Sequence, residues 1–228
     1  MATTDTHNFN LDLNLLVEEA FERCGAELRT GYDLRTATRS LNLLTIEWAN
    51  RGINLWTVEE DTIPLVAGTA TYDLPATTID LISQVIRTGS GTTQSDIAIS
   101  RVSNPTYASI PSKNSTGRPI QIYIDRRGPE VPQFTVWPIP DSTDTYTFVY
   151  WYLKRIADAG TGVNTQDIPF RFLPCLVAGL AYYLSIKIPE AGDRVQFLKQ
   201  EYEEQWLLAS TEDREKATLT IAPRTSYV

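Results

Sequence analysis

Leu13, Leu16, Val17, Ala20, Phe21 and Cys24 recur at helical spacing, with Glu18, Glu19, Glu22 and Arg23 on the opposite side. The stripe predicts an amphipathic helix that Gly25 brings to a stop. Leu34, Ala37, Leu41, Leu44 and Trp48 then step by three and four, one face of a second helix. Arg35, Arg39, Asn42 and Glu47 form its wet side, and Asn50, Arg51 and Gly52 end it. Two amphipathic helices on a short loop make a helical hairpin, here over residues 1–52.

From residue 53 the period changes. Short apolar runs stand between Gly, Pro, Asn and Asp clusters: INLWTV, TYDLP, LISQVIR, IQIYID, FTVW and TYTFVYWYL. In the last run Tyr146, Phe148, Tyr150 and Tyr152 share one face, and Val149, Trp151 and Leu153 the other. Bulk on both faces predicts a central strand. Most of the 13 prolines fall in or beside this region, at strand ends and turns where a missing N–H costs least. Residues 53–155 therefore read as a mainly antiparallel β module.

Helix returns over residues 156–216, with Asp167 as the expected cap and Pro169 and Pro174 in the first turns. Residues 172–186 carry no charge and are bracketed by Arg171 and Lys187. A bilayer-spanning helix needs about 20 apolar residues, so this run is too short to cross one. A helix apolar all round is buried all round. One small domain can rarely wrap a helix on every side, so part of this surface is expected to meet a neighbouring subunit. Phe172, Leu176, Leu180 and Tyr183 are the packing residues of this helix. Gly179 and Ala181 would allow close helix approach. The pair Ile188 and Pro189 stops it. The last helix carries Ala191, Val195, Leu198, Tyr202, Trp206 and Ala209 on one stripe, with Glu201, Glu203, Glu204, Glu212, Asp213 and Glu215 opposite. Residues 217–228 have no helical period and contain Pro223, which predicts an extended tail. The fold class is thus α+β: N- and C-terminal helices forming a helical bundle, a central β module and an extended end.

Composition narrows the function. The chain has 228 residues, 42% hydrophobic and 21% charged, which is ordinary for a folded protein. A net charge of −8 argues against electrostatic gripping of nucleic acid, which needs clustered Lys and Arg. It leaves room for DNA that slides past. Cys24 and Cys175 both fall in helical patterns and suit a reducing cytoplasm. The first ten residues lack a basic region followed by an apolar core, so no secretory signal is visible.

The single histidine, His7, lies in the polar N-terminal tip, so neither a histidine triad nor a zinc site is expected. No CxxC, HExxH or phosphate-cradling loop occurs. Glu59, Glu60 and Asp61 follow a strand containing Trp56, and acids beside aromatics can dress a glycosidase cleft. Adjacent strand residues point to opposite faces, so a solvated strand end is the better reading. Asp141 and Asp144 lack the ligand count of a calcium loop and read as a turn. Arg101, Lys113, Arg118, Arg126 and Arg127, with Tyr107 and Tyr123, form a modest basic set with aromatics. Acids outnumber bases in the same module, which favours surface pairing. No catalytic, cofactor or metal residues are assigned.

The order of elements and several motifs resemble the head-to-tail adaptor (connector) proteins of tailed bacteriophages, particularly short-tailed ones. The carrying residues are Trp48 to Gly52 running into Leu55 and Trp56, then Tyr72, Asp73, Leu74 and Pro75. Ser100, Arg101, Tyr107, Ile110, Pro111, Lys113, Gly117, Arg118 and Pro119 follow. Trp137 to Pro140, then Asp167 to Arg171 leading into Ala178 to Ala181, complete the set. The resemblance implies a virion protein assembled in the host cytoplasm, forming a homo-oligomeric ring, usually of twelve subunits. The ring would dock between the portal and the tail tube or nozzle, with double-stranded DNA passing through its centre and no membrane involved. It also implies that the tail docks on the portal, through Leu219, Ile221, Pro223, Arg224, Tyr227 and Val228. If the last helix lines the channel, Glu201, Glu203 and Glu204 would repel the DNA backbone. Leu198, Tyr202 and Trp206 join the packing set. Two alternatives from other classes are a cell-wall hydrolase using carboxylates and a glycan-binding β module.

Overall fold

A computed structural model describes residues 5–28, 31–52, 55–89, 91–126, 131–214 and 216. The portal-docking residues Leu219, Ile221, Pro223, Arg224, Tyr227 and Val228 lie outside the described residues, as do Arg127 and Glu215. The chain divides into two compact units, residues 1–56 with 156–228, and residues 57–155. The whole is a mixed α+β protein.

Helix α1 spans Leu13–Cys24. The Asp12 carboxylate accepts from the Leu15 N–H and caps it, and Gly25 ends it at φ +76°, a conformation that glycine adopts without a Cβ clash. Helix α2 spans Gly31–Arg51, burying Ala37, Leu41, Leu44 and Trp48 as the spacing predicts. Helix α4 spans Leu173–Ser185 and α5 spans Val195–Glu212, after the short α3, Asn104–Ala108, of the other unit. Asp167 does not cap α4. Ile168 precedes a proline, which disfavours helical backbone there, so a 3-10 turn, Phe170–Phe172, comes first and α4 opens at Leu173. Pro174 sits in the first turn of α4, where no N–H is missed. Ala191 likewise belongs to a 3-10 segment, Pro189–Arg194, that precedes α5.

Most of helix α4 is buried, and by its own chain; Pro174 is exposed and Tyr182 and Tyr183 are half-buried. Residues of α1, α2 and α5 share one core with Phe172, Cys175, Leu176, Val177, Leu180 and Leu184. Three helices packed round α4 thus cover most of the uncharged run, and Pro174 and Ile186 are the parts of it left exposed. Gly179 makes this possible, since a Cβ there would lie 2.9 Å from both Leu44 and Tyr202.

The second unit holds two four-stranded sheets. Strands β1 (Val58–Pro64), β8 (Tyr146–Lys154), β3 (Thr78–Thr88) and β4 (Ser95–Ala98) make the first, in that order. Strands β2 (Thr71–Asp73), β7 (Gln133–Trp137), β6 (Gln121–Asp125) and β5 (Ser100–Val102) make the second. All pairings are antiparallel except β5 with β6. Strand β8 is central, and its face of Tyr146, Phe148, Tyr150 and Tyr152 enters a core shared with Phe134 and Val136 of β7. Phe148 stacks on Phe134 at 4.3 Å. Glu59, Glu60 and Asp61 lie inside edge strand β1, not beyond a strand's end.

Candidate assembly surfaces

The packing residues read from the sequence meet inside the helical unit. Phe172, Leu176, Leu180, Leu198 and Tyr202 are buried in its core, with Tyr183 and Trp206 partly buried against it. The Trp48 indole N–H donates to the Tyr202 hydroxyl at 3.0 Å, and Trp48 packs against Phe172 and Trp206 at 5.7 and 5.3 Å. Arg51 covers the rim of this cluster. Its guanidinium donates two parallel bonds to Glu203 at 2.8 and 2.9 Å and another to Glu47, and lies over the Tyr202 and Trp206 rings. Bidentate geometry with stacking is specific to arginine. The bonds from Arg51 are the main cause that holds the Glu203 carboxyl below its usual range.

The three acids singled out on α5 therefore differ. Glu201 pairs with Arg23 at 2.7 Å and Glu203 with Arg51, while Glu204 accepts only the Gln200 amide among the described residues. A wall repelling DNA would have two of its three charges neutralised. The outward face of α5 is also not the acidic one expected. Opposite the core stripe stand Phe197, Gln200, Glu204, Leu207 and Leu208, three of them large and apolar.

Asp213, just past α5, reads from the sequence only as part of the acidic wet side. Its side chain is 2% exposed, accepts from Arg171 at 2.7 Å and caps the Leu55 N–H at 2.8 Å. One carboxylate thus joins the end of α5, the approach to α4 and the segment after α2. Asp213→Ala leaves a backbone donor and a guanidinium without their acceptor, so stability should fall by about 2 kcal/mol in urea unfolding. A change below about 0.5 kcal/mol would show that water replaces the carboxylate.

A groove of about 980 Å³ beside α1 and the start of α4 is lined by apolar Phe9, Leu15, Phe170, Pro174 and Val177 together with Glu18, Glu19, Glu22 and His7. Burial pushes the Cys24 thiol up to about 11 and the Cys175 thiol up to about 12, so both stay protonated and inert at neutral pH.

The residues that carried the resemblance in the β unit turn out to brace one another. The Tyr72 hydroxyl accepts from the Val66 N–H at 2.8 Å and donates within the Val66–Thr69 turn. The Trp137 indole donates to the Ser112 carbonyl at 2.9 Å, and the Gly117 N–H to Ile139 at 2.9 Å, which fastens the Lys113 loop onto the Trp137 strand end. Tyr107 and Tyr123 stack on each other at 5.1 Å, with Lys113 over Tyr107. Arg101 and Arg126 both pair with Asp80. Tyr107, Tyr123, Lys113, Arg101 and Arg126, considered for base stacking, are thereby engaged within the unit.

Glu59 and Asp61 share one face of β1 and accept the hydroxyls of Tyr152 and Tyr150, each at 3.0 Å. Lys154, then Tyr152, hold the Glu59 carboxyl below its usual range. A general acid needs the opposite shift. Asp141 accepts from the Thr143 N–H, which makes its loop a turn. Among the described residues no group of three metal-ligating side chains occurs, and no helix is long and apolar enough to cross a membrane.

Two closed cores, neutralised or braced charges within them and large apolar side chains left outward are the features of a structural protein that works by association. A family model described as "SU10 adaptor protein" matches residues 15–224. The chain belongs to that family and is a head-to-tail adaptor of a tailed bacteriophage. No curated protein matches it.

Proposed function

We propose that this adaptor forms a ring between the portal and the tail tube or nozzle, through which double-stranded DNA passes, and that residues 217–228 dock it on the portal. The observation that carries the reading is membership of the adaptor family across residues 15–224, nearly the whole chain. The exposed apolar side chains support it. Phe197, Leu207 and Leu208 stand outside a helical core that is already complete, and large apolar groups on a finished surface mark protein contacts. Docking by the tail follows from its composition. Leu219, Ile221, Pro223, Tyr227 and Val228 are too few to fold alone but can seat an extended strand on a partner, with Arg224 adding a charged contact.

The test is association with purified portal rings, followed by electron microscopy and sedimentation. The full chain should add a layer to the portal. Deletion of residues 218–228 should leave the thermal transition unchanged and abolish that layer. Undiminished binding by the shortened chain would remove the tail from the docking role. A full chain that neither self-associates nor binds a portal would overturn the ring itself.

A further inference from the structure

The outward faces of α2 and α5 match each other in pattern and oppose each other in charge. On α2 the positions opposite the core are Tyr32, Arg35, Arg39, Leu43 and Ile46, all exposed. On α5 they are Phe197, Gln200, Glu204, Leu207 and Leu208. Each stripe is apolar at both ends and polar in the middle: cationic on α2, anionic on α5. The spacing also agrees, since Tyr32, Arg39 and Leu43 fall seven and four residues apart, as do Phe197, Glu204 and Leu208. Exposure is high at the ends, 51% for Leu43 and 44% for Ile46, against 68%, 63% and 64% for Phe197, Leu207 and Leu208.

The charges in the middle are available. Among the described residues neither Arg35 nor Arg39 makes an ion pair, and Glu204 meets only the Gln200 amide. Lys187, bonded to Ser40 at 2.6 Å, is held below the usual lysine range by partial burial and then by the field of Arg39. Glu47 and Glu203 point to Arg51, Glu201 to Arg23 and Glu212 to Lys216.

We infer that the outward face of α2 on one subunit packs on the outward face of α5 on a second copy, with Arg39 opposite Glu204 and apolar contacts on either side. With the helices parallel the shared spacing sets Phe197 on Tyr32 and Leu208 on Leu43; antiparallel, Phe197 falls on Ile46 and Leu43 lies one turn from Phe197. The two faces are different patches of one chain, so the contact is heterologous and propagates from copy to copy, into a ring when the rotation closes. The inference rests on the adaptor reading only in taking the partner to be a second copy.

Cross-linking of the full chain tests it. Leu43→Cys protein is mixed with Leu208→Cys protein, or with Phe197→Cys protein, and treated with a short bis-maleimide. The buried native cysteines do not compete. One of the two mixtures should give covalent dimer at least about tenfold above either variant alone, and which one reports the helix direction. Glu204→Arg should lower that yield by about tenfold, and Arg39→Glu in the partner should restore it. Equal cross-linking within a single variant, or none in either mixture, would overturn the inference. So would portal rings that take up wild-type and Glu204→Arg chains alike, an outcome that leaves the adaptor reading standing. Wild-type protein that neither self-associates nor binds a portal overturns both.

Discussion

Replacing Trp48 with alanine is expected to lower the stability of the helical unit by about 4 kcal/mol. The indole is fully buried, packs against Phe172 and Trp206, and donates to Tyr202 at 3.0 Å. Truncation removes the largest fully buried side chain of this core and opens a cavity that α4 cannot collapse into, because Gly179 already brings it against Leu44 and Tyr202. It also leaves the Tyr202 hydroxyl without its donor. Hydrogen exchange in α2, α4 and α5 should accelerate by about a thousandfold, the equivalent of that loss. A loss below about 1 kcal/mol would show that the site repacks freely and that the rim held by Arg51 plays no part.

Phe148→Ala should cost the β unit about 3–5 kcal/mol. Phe148 is fully buried in the central strand β8, stacked on Phe134 at 4.3 Å and on Tyr150 at 5.1 Å. Deleting the ring breaks a stack that links β8 to β7 of the second sheet, so both sheets lose their shared contact at once. Exchange of the β3, β6, β7 and β8 amides reads the effect directly. Protection that drops in β8 and β3 but persists in β6 and β7 would show that each sheet is held by something other than this common core.

Much of the helical unit was legible because a helix repeats locally. The steps of three and four from Leu13 to Cys24 and from Leu34 to Trp48 identify the buried faces before any neighbour is known. Alternation from Tyr146 to Leu153 likewise marked β8 as covered on both faces. Spacing alone could not assign the acids: Glu201, Glu203 and Glu204 look equivalent along α5, yet Glu203 meets an arginine 152 positions away and Glu204 meets none among the described residues. The outward stripes carried a readable signal. Leu43 and Ile46 fall on the side that Arg35 and Arg39 mark as wet, as Leu207 and Leu208 do beside Glu204, and large apolar residues on a wet face point to contact.

The sequence by itself determined the four long helices, most of the strands, the faces they turn inward and the adaptor motifs, because periodicity and turn chemistry act over a few residues; the short β4, β5 and α3, and the 3-10 turn at Leu55–Thr57, are too brief to show a period. The tertiary structure decided what covers each face. It wrapped α4 with the chain's own helices, tied Asp213 to Arg171 and Leu55, and drew Glu203 to Arg51. Such partners are far apart in the chain, and pairing them depends on the geometry in which the helices pack.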